Sequence, residues 1–255
     1  MNTSPATSHI IERALANIDH DLAGSRHMPG AMYSSPEIYD VERDQIFMRN
    51  WLCVGREEEL LNPGDYLASR VMGEPYLVVR NAQGRINAFS NSCRHRGVEV
   101  ASGRGSAKQF SCPYHAWTYD LDGHLLGAPL MKASNIDLSA CRLPSLAIEI
   151  WQGWIFINFD PNADDLTACI KEFIDEFGFL RADQCRLAHV FSTELDCNWK
   201  YVVENLMDVY HVGTIHARSF GKHYRTSAED HTFKLLDKGG YSFHFKAAPL
   251  TSNGQ

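Results

Sequence analysis

The sequence predicts an α+β fold, in which an antiparallel β domain is followed by a helical region. The 255 residues are 44% hydrophobic and 22% charged, a globular composition with material for one large or two small domains. From about residue 51 to 159 the chain consists of short apolar or alternating runs broken by turn residues, which is typical of strands. After Asp160-Pro161 the apolar residues recur at helical spacing.

A helix is predicted before the first strand. Ser34-Ser35-Pro36-Glu37 combines a Ser cap with Pro in the first turn, and this is a helix start signal. The residues that follow place Ile38, Val41, Ile46 and Phe47 as its apolar positions.

Several strands and turns can be placed in the β region. The runs "YLVVR" and "INAFS" are separated by a turn at 81–84, and Asp122-Gly123 predicts a hairpin. The strongest apolar run, "WIFINF" at 154–159, has the length of a strand and is far too short to span a membrane.

The region after residue 160 predicts two helices and a return to β structure. The first helix is capped by Asp164 or Asp165, and its apolar face is formed by Leu166, Ile170, Phe173, Ile174 and Phe177. The stretch from Val190 begins as a strand and becomes a second helix near Asn198, which ends near Gly213. The last segment, from Phe233, predicts one or two strands.

Charge and cysteine usage exclude several classes of protein. A formal net charge of -7 argues against a nucleic-acid partner. The N-terminus mixes charges into its apolar stretch, unlike a signal peptide, so a cytoplasmic location is predicted. Seven scattered cysteines do not predict a disulfide framework.

Two Cys/His pairs form the first candidate site. The pattern is Cys93-x-His95, sixteen residues, and Cys112-x2-His115. Two such pairs suit either a tetrahedral Cys2His2 zinc site or a [2Fe-2S] cluster with two Cys on one iron and two His on the other. Zinc fingers pair Cys with Cys and His with His, whereas here each arm supplies one of each, and this favours the cluster.

The two loops resemble a known motif. "CRHRG" at 93–97 and "CPYHAWTYDLDG" at 112–123 are similar to the Rieske cluster-binding motif. They resemble the Rieske oxygenases more than the cytochrome-complex Rieske proteins, whose loops carry an additional Cys that is absent here. Arg94, Arg96, Tyr114 and Trp117 are expected to shape the loops and shield the cluster.

A second candidate site is Asp208-x2-His211-x4-His216. Two His and a carboxylate form the facial triad that leaves positions open on Fe(II) for O2. Asp208 and His211 would share a helical face, so the carboxylate could fix the imidazole tautomer, and Gly213 offers the break that brings His216 to the same iron.

The stretch 198–216 is similar to the mononuclear-iron helix of Rieske non-heme iron oxygenases. By this resemblance His211 and His216 are iron ligands. Asp208 would bridge His211 to His115 of the partner subunit in a head-to-tail trimer. The resemblance also implies that Asn205 would either lie near the iron or stabilise the helix.

The resemblance implies an all-β Rieske [2Fe-2S] domain at 50–160, inserted in a helix-grip-like α+β catalytic domain. Residues 1–49 would pack with that catalytic domain, and 161–255 would be its first part. The implied protein is an α, or oxygenase, component: a homotrimer or α3β3 assembly that receives electrons from NAD(P)H through a reductase and, in some systems, a ferredoxin. It would use O2 to hydroxylate a small organic substrate.

Two points stay open in the sequence. The family's third iron ligand comes from far downstream, and none of Glu229, Asp230 and Asp237 matches it, so the catalytic domain is expected to be incomplete at the C-terminus. Asp208 at the bridging position resembles the aromatic oxygenases, whereas the quaternary-ammonium members tend to have Glu there, so the resemblance favours an aromatic substrate. An N- or O-demethylase or quaternary-ammonium monooxygenase is the alternative, as is an electron-transfer protein without a catalytic iron.

Overall fold

The computed structural model describes residues 4–19, 24–131, 137–208, 211–219, 231–235 and 241–245, and it confirms the α+β class. The helices are α1 (Pro5–Leu15), α2 (Ala31–Ser34), α3 (Pro36–Glu42), α4 (Leu166–Cys169), α5 (Lys171–Phe177), α6 (Trp199–Met207) and α7 (Val212–Ile215). The strands are β1 (Leu52–Arg56), β2 (Asp65–Val71), β3 (Glu74–Arg80), β4 (Ile86–Ser90), β5 (Gly103–Ser106), β6 (Phe110–Ser111), β7 (Thr118–Tyr119), β8 (Leu125–Gly127), β9 (Ala147–Trp151), β10 (Trp154–Asn158), β11 (His231–Leu235) and β12 (Tyr241–Phe245). The longest described helix has eleven residues, so none of them could cross a membrane.

The chain divides into two compact units. One consists of 1–38, 172–177 and 191–255, and the other of 39–171 and 178–190. The second unit contains β1 to β10, arranged in three antiparallel sheets with the strand orders β1-β10-β9, β4-β3-β2-β5 and β6-β7-β8.

The second unit is called the β unit below. Strand β3 is its centre, because this strand is buried on both faces. Leu77, Val78 and Val79 have no exposed surface. Since successive side chains of a strand point to opposite faces, Leu77 and Val79 pack in one hydrophobic cluster and Val78 in another. The first cluster also contains Cys93 and Cys112, so the predicted cluster loops lie directly over this core.

The predicted hairpins are present. The chain turns at 81–84 between β3 and β4, and at Asp122-Gly123 between β7 and β8. Gly123 has φ +83°, a backbone conformation that favours glycine. Asp122 Oδ1 accepts hydrogen bonds from Asn81 (2.7 Å) and Asn87 (2.9 Å), which ties the two hairpins together.

The helix predicted before the first strand begins where the sequence indicates. Helix α3 starts at Pro36, and Ser35 Oγ accepts a hydrogen bond from the Ile38 amide at 3.3 Å. It ends at Glu42 and is followed by a π-helical turn, Arg43–Phe47.

Three predictions for the helical region need correction. The helix predicted from Asp164 or Asp165 to Phe177 is interrupted at Ile170, whose φ of -104° and ψ of 19° are not helical. Residues 190–195 form no strand, since none of the described strands pairs with them. The helix that begins at Asn198 ends at Met207 rather than near Gly213. The predicted C-terminal strands are present as the antiparallel pair β11 and β12.

Candidate metal centres

The two Cys/His loops have the same backbone design. The Gly97 amide donates to the Cys93 carbonyl (2.8 Å), and the Ala116 amide donates to the Cys112 carbonyl (2.9 Å). The two Cys amides donate in turn to the carbonyls of Val98 and Trp117. Gly97 and Ala116 both have a positive φ, +73° and +55°, where the turn reverses the chain. Each loop therefore presents its Cys and His in an equivalent way.

The structure places the two predicted Cys in one hydrophobic cluster and the two predicted His ring against ring. Cys93 and Cys112 are buried, and the rings of His95 and His115 lie 4.6 Å apart between centroids. His95 Nδ1 is buried and has no hydrogen-bond partner among the described residues. A buried ring nitrogen without a partner is costly unless it binds something, and a metal ligand is such a role. Two thiols and two imidazoles thus fit the donor set of a [2Fe-2S] cluster.

The pKa of His115 is lowered, which suits ligation. Desolvation lowers the pKa of His115, and the charges of His95 and Arg96 act in the same direction. The neutral imidazole is the form that binds a metal.

Aromatic residues shield these loops, as the sequence predicts. The indole of Trp117 stacks on His95 with 5.0 Å between centroids and an interplanar angle of 7°. The exposed ring of Tyr114 lies 3.8 Å from that of His115, and the Arg96 guanidinium lies 5.9 Å from the Tyr114 ring. A buried and an exposed aromatic ring therefore flank the two histidines.

Tyr119 is a contact that the sequence does not single out. The hydroxyl of this fully buried residue lies 3.3 Å from Cys93 Sγ and accepts a hydrogen bond from the Arg94 amide at 3.0 Å. Burial raises the pKa of Tyr119, and the hydrogen bond with Cys93 adds to this, so the phenol keeps its proton. In the sequence, the only indication of this contact is that Tyr119 lies directly after the second Cys/His loop, on the two-residue strand β7.

The second candidate site lies in the other unit. Asp208 Oδ2 lies 3.2 Å from His211 Nδ1, and the rings of His211 and His216 lie 5.4 Å apart at 62°. The pairing of Asp208 with His211 agrees with the prediction, but the geometry behind it differs. Asp208 lies beyond the end of α6 in an extended conformation, so the two residues do not share a helical face.

His211 and His216 flank the short helix α7 as its N- and C-terminal capping residues. Gly213 lies inside this helix, so the break that the sequence places at Gly213 lies before His211 instead. A five-residue spacing then brings the two rings together across a single helical turn. With its Nδ1 at the Asp208 carboxylate, His211 keeps Nε2 for a metal.

Asn205 and three downstream carboxylates are the remaining residues named in the sequence analysis. Asn205 is exposed in the last part of α6. Glu229, Asp230 and Asp237 lie outside the described residues. Within the part of the chain that the structure describes, no three His, Cys, Asp or Glu side chains are arranged around one metal ion. A [2Fe-2S] cluster does not require such a group, because each of its irons takes two protein ligands.

Comparison with known proteins identifies the two domains in which these residues lie. Residues 50–147 match the Rieske [2Fe-2S] domain, and residues 182–253 match the catalytic domain of the ring-hydroxylating alpha subunit. The carnitine monooxygenase oxygenase subunit of Acinetobacter pittii is 36% identical over 196 residues, which are 74% of this chain and 52% of that relative. The chain belongs to the Rieske oxygenase α subunits.

Other members of the family include both substrate classes considered above. The benzene 1,2-dioxygenase subunit alpha of Pseudomonas putida is 34% identical over 191 residues, 72% of this chain and 42% of that relative. The crystal structure of a quaternary ammonium Rieske monooxygenase with an inhibitor superposes with a TM-score of 0.77 at 32% identity, covering 86% of this chain and 61% of that one. This Rieske oxygenase α chain spans about half the length of the curated relatives it matches.

The family match also bears on the cofactors. A Rieske [2Fe-2S] cluster and a mononuclear iron, predicted from the two motifs, are the cofactors that these two domains imply.

Proposed function

We propose that this chain belongs to the oxygenase component of a multicomponent Rieske oxygenase, which takes electrons from NAD(P)H through a reductase and uses O2 to hydroxylate a small organic substrate. The observation that carries the proposal is the pair of separate ligand clusters, one in each matched domain: the four Cys/His residues of the loops and the Asp208, His211 and His216 group. Residues 1–49, 50–160 and 161–255 are the proposed N-terminal segment, Rieske domain and first part of the catalytic domain.

In this proposal Cys93 and Cys112 bind one iron of the cluster, and His95 and His115 bind the other. When bound, the cluster carries single electrons and the mononuclear iron supplies O2 chemistry. The burial of Cys93 and Cys112 and the exposure of His115 support an arrangement in which the histidine end of the cluster would face an electron partner.

His211 and His216 are the proposed ligands of the mononuclear iron, with a carboxylate from beyond the described residues as the third. Asp208 holds the Nδ1 proton of His211 and so fixes the tautomer and orientation of the ring. Asn205 is proposed to lie near this iron or to stabilise α6.

The proposed assembly is a homotrimer or an α3β3 complex, in which Asp208 connects His211 to His115 of the partner subunit. A head-to-tail contact of this kind closes naturally into a ring. The reductase, in some systems with a ferredoxin, supplies the electrons.

The metal content tests the two sites directly. Anaerobically purified protein with both sites should contain about three irons and two acid-labile sulfides per chain. Cys93→Ser should lose the cluster iron and sulfide but keep the third iron, and His211→Ala should do the reverse. Two irons to two sulfides in the unmodified chain would favour an electron-transfer protein, and zinc without sulfide would refute the proposal.

The substrate class is tested with a panel. The resemblance at Asp208 favours an aromatic substrate, whereas the similarity to carnitine monooxygenase favours a quaternary ammonium compound. The purified component, supplied with a reductase, NADH and O2, should form product from one class only. Consumption of NADH without hydroxylated or demethylated product from either class would contradict both assignments.

A further inference from the structure

The irregular segment 178–187 of the β unit is bound to the rest of that unit by side-chain hydrogen bonds to its backbone. It contains only two short 3-10 turns, Gly178–Leu180 and Ala182–Gln184, and no strand. Backbone groups of such a segment normally bind water. Here several of them bind side chains that belong to the β sheets of the same unit.

Gln152 binds the segment through both ends of its amide. Its Nε2 donates to the Gly178 carbonyl (3.0 Å), and its Oε1 accepts from the Ala182 amide (2.8 Å). Gln152 is in the two-residue turn between β9 and β10 with φ +46°, a conformation that is unfavourable for a residue with a side chain. Gln152 has an unfavourable backbone conformation, and both polar atoms of its amide bind the same segment. This combination indicates that the contact has a function.

Arg56 and Glu58 bind the same segment further along. The nearly buried Arg56 donates from Nη2 to the carbonyls of Ala182 (3.0 Å) and Cys185 (3.4 Å), and from Nε to Glu58 Oε1 (2.9 Å). Glu58 Oε1 also accepts from the Leu187 amide at 2.6 Å. The planar guanidinium suits this because it directs several donors at once, and Glu58 compensates its buried charge.

Three side chains thus make five hydrogen bonds to one irregular segment. The match to the catalytic domain begins at residue 182, inside this segment. The first residues of the catalytic match are therefore bound to the domain that holds the Cys/His loops.

We propose that Gln152, Arg56 and Glu58 form a clamp that fixes the point at which the chain leaves the cluster domain, and that they act as positioning residues for electron transfer to the mononuclear iron. This inference rests on the proposed function. Electron transfer slows steeply with distance. In the proposed ring, a loose exit would let each cluster domain shift relative to the iron of the partner subunit, and this shift would lower the rate.

The variant Gln152→Gly distinguishes the loss of the clamp from a general loss of stability. Glycine relieves the strained turn while removing both amide contacts, so the β unit should keep its thermal stability. Met72→Gly is the matched control. Met72 occupies the same position of the β2–β3 turn, with φ +50° and a following Gly73, and lies outside the clamp.

The first readout is tryptic cleavage after Arg181 and Arg186 in the cluster-loaded protein. Loss of two hydrogen bonds should raise this cleavage about fivefold or more in Gln152→Gly, and Met72→Gly should not change it. Unchanged cleavage in Gln152→Gly would show that there is no clamp.

The second readout is the oxidation of the chemically reduced cluster by O2, followed in a stopped-flow spectrometer. Protein with Fe(II) at the mononuclear site is compared with protein carrying redox-inert Zn(II) there. We expect the iron-dependent phase to slow in Gln152→Gly but not in Met72→Gly. An unchanged phase despite faster cleavage would overturn the positioning role alone, whereas its absence from the unmodified protein would overturn the proposed function itself.

Discussion

At the scale of single residues, Tyr119 can adjust the properties of the cluster without binding it. The Arg94 amide already donates to the phenol oxygen, so the phenol proton is free to point at Cys93 Sγ. A hydrogen bond to a ligating thiolate withdraws electron density and favours the reduced cluster. The raised pKa keeps this donor protonated.

Tyr119→Phe should therefore lower the reduction potential of the cluster. Phenylalanine preserves the buried ring and removes only the hydroxyl, so the effect should be about tenfold in the equilibrium of reduction, about 59 mV for one electron. Potentiometric titration followed by electron paramagnetic resonance measures it.

Tyr66→Phe is the matched control for this prediction. Tyr66 packs in the same core, against Phe110, but its hydroxyl donates to the Ser102 carbonyl. An equal shift of the potential in both variants would mean that the Cys93 hydrogen bond has no special effect.

Asp208→Asn should remove the charge that orients His211 and leave the shape of the side chain. Changes to residues that hold a ligating histidine cost about 10–100-fold in metal affinity or activity. We expect coupled turnover to fall by at least that factor while the cluster spectrum is unchanged. Asp120→Asn is the control, because Asp120 Oδ2 lies 3.3 Å from His124 Nδ1 in a similar pair without a predicted metal. Normal turnover in Asp208→Asn would remove Asp208 from the electron path.

The sequence could predict these ligand sets but not their surroundings. Cys93, His95, Cys112 and His115 have a diagnostic spacing, and the structure places the two His rings side by side and both Cys in one core cluster. Tyr119 acts through a contact between residues 26 positions apart, and no local pattern distinguishes it from an ordinary buried tyrosine.

At the scale of elements, the first cluster loop is held by one buried amide. Asn91 Oδ1 accepts from the amides of Val100 and Ala101 (both 3.1 Å), and its Nδ2 donates to the Ala101 carbonyl at 2.8 Å. Asn91 has no exposed surface, so this one side chain closes the ends of the loop that carries Cys93 and His95.

Asn91→Ala should destabilise the β unit by about 1–3 kcal/mol, because backbone groups are left buried without partners. It should also reduce the sulfide content, which thermal unfolding and metal analysis together would detect. Asn81→Ala removes an equivalent buried amide from the β3–β4 turn, where it accepts from Gln83 and Arg85. Loss of cluster in both variants, or in neither, would contradict a specific role for Asn91.

The end of α6 shows why boundaries were harder to predict than elements. The apolar pattern continues past Met207, but a carboxylate at the C-terminal end of a helix is unfavourable with the helix dipole. Asp208 leaves the helix and binds His211 instead. The side-chain pair, rather than Gly213, thus determines where the helix ends.

At the scale of the whole molecule, the sequence predicted the order of the β and helical regions because each has its own periodicity. It could not predict the attachment of 178–187, since the five hydrogen bonds come from Arg56, Glu58 and Gln152, which are distant in the chain. Similarly, the predicted strand at 190–195 failed because strand formation depends on a neighbour.

The proposed ring can be tested by mixing two inactive proteins. Cys93→Ser has no cluster and His211→Ala has no mononuclear iron, so each alone should be inactive. If electrons pass between subunits, a co-assembled trimer gains a working pair wherever the intact iron of one subunit faces the intact cluster of the next.

Random assembly from equal amounts of the two variants makes about one quarter of the directed contacts of this kind. We therefore expect about one quarter of the activity of the unmodified protein after co-expression, measured per iron-loaded assembly. No recovery in an assembly that contains both variants would mean that the cluster serves the iron of its own chain, and the bridging role of Asp208 between subunits would then be wrong.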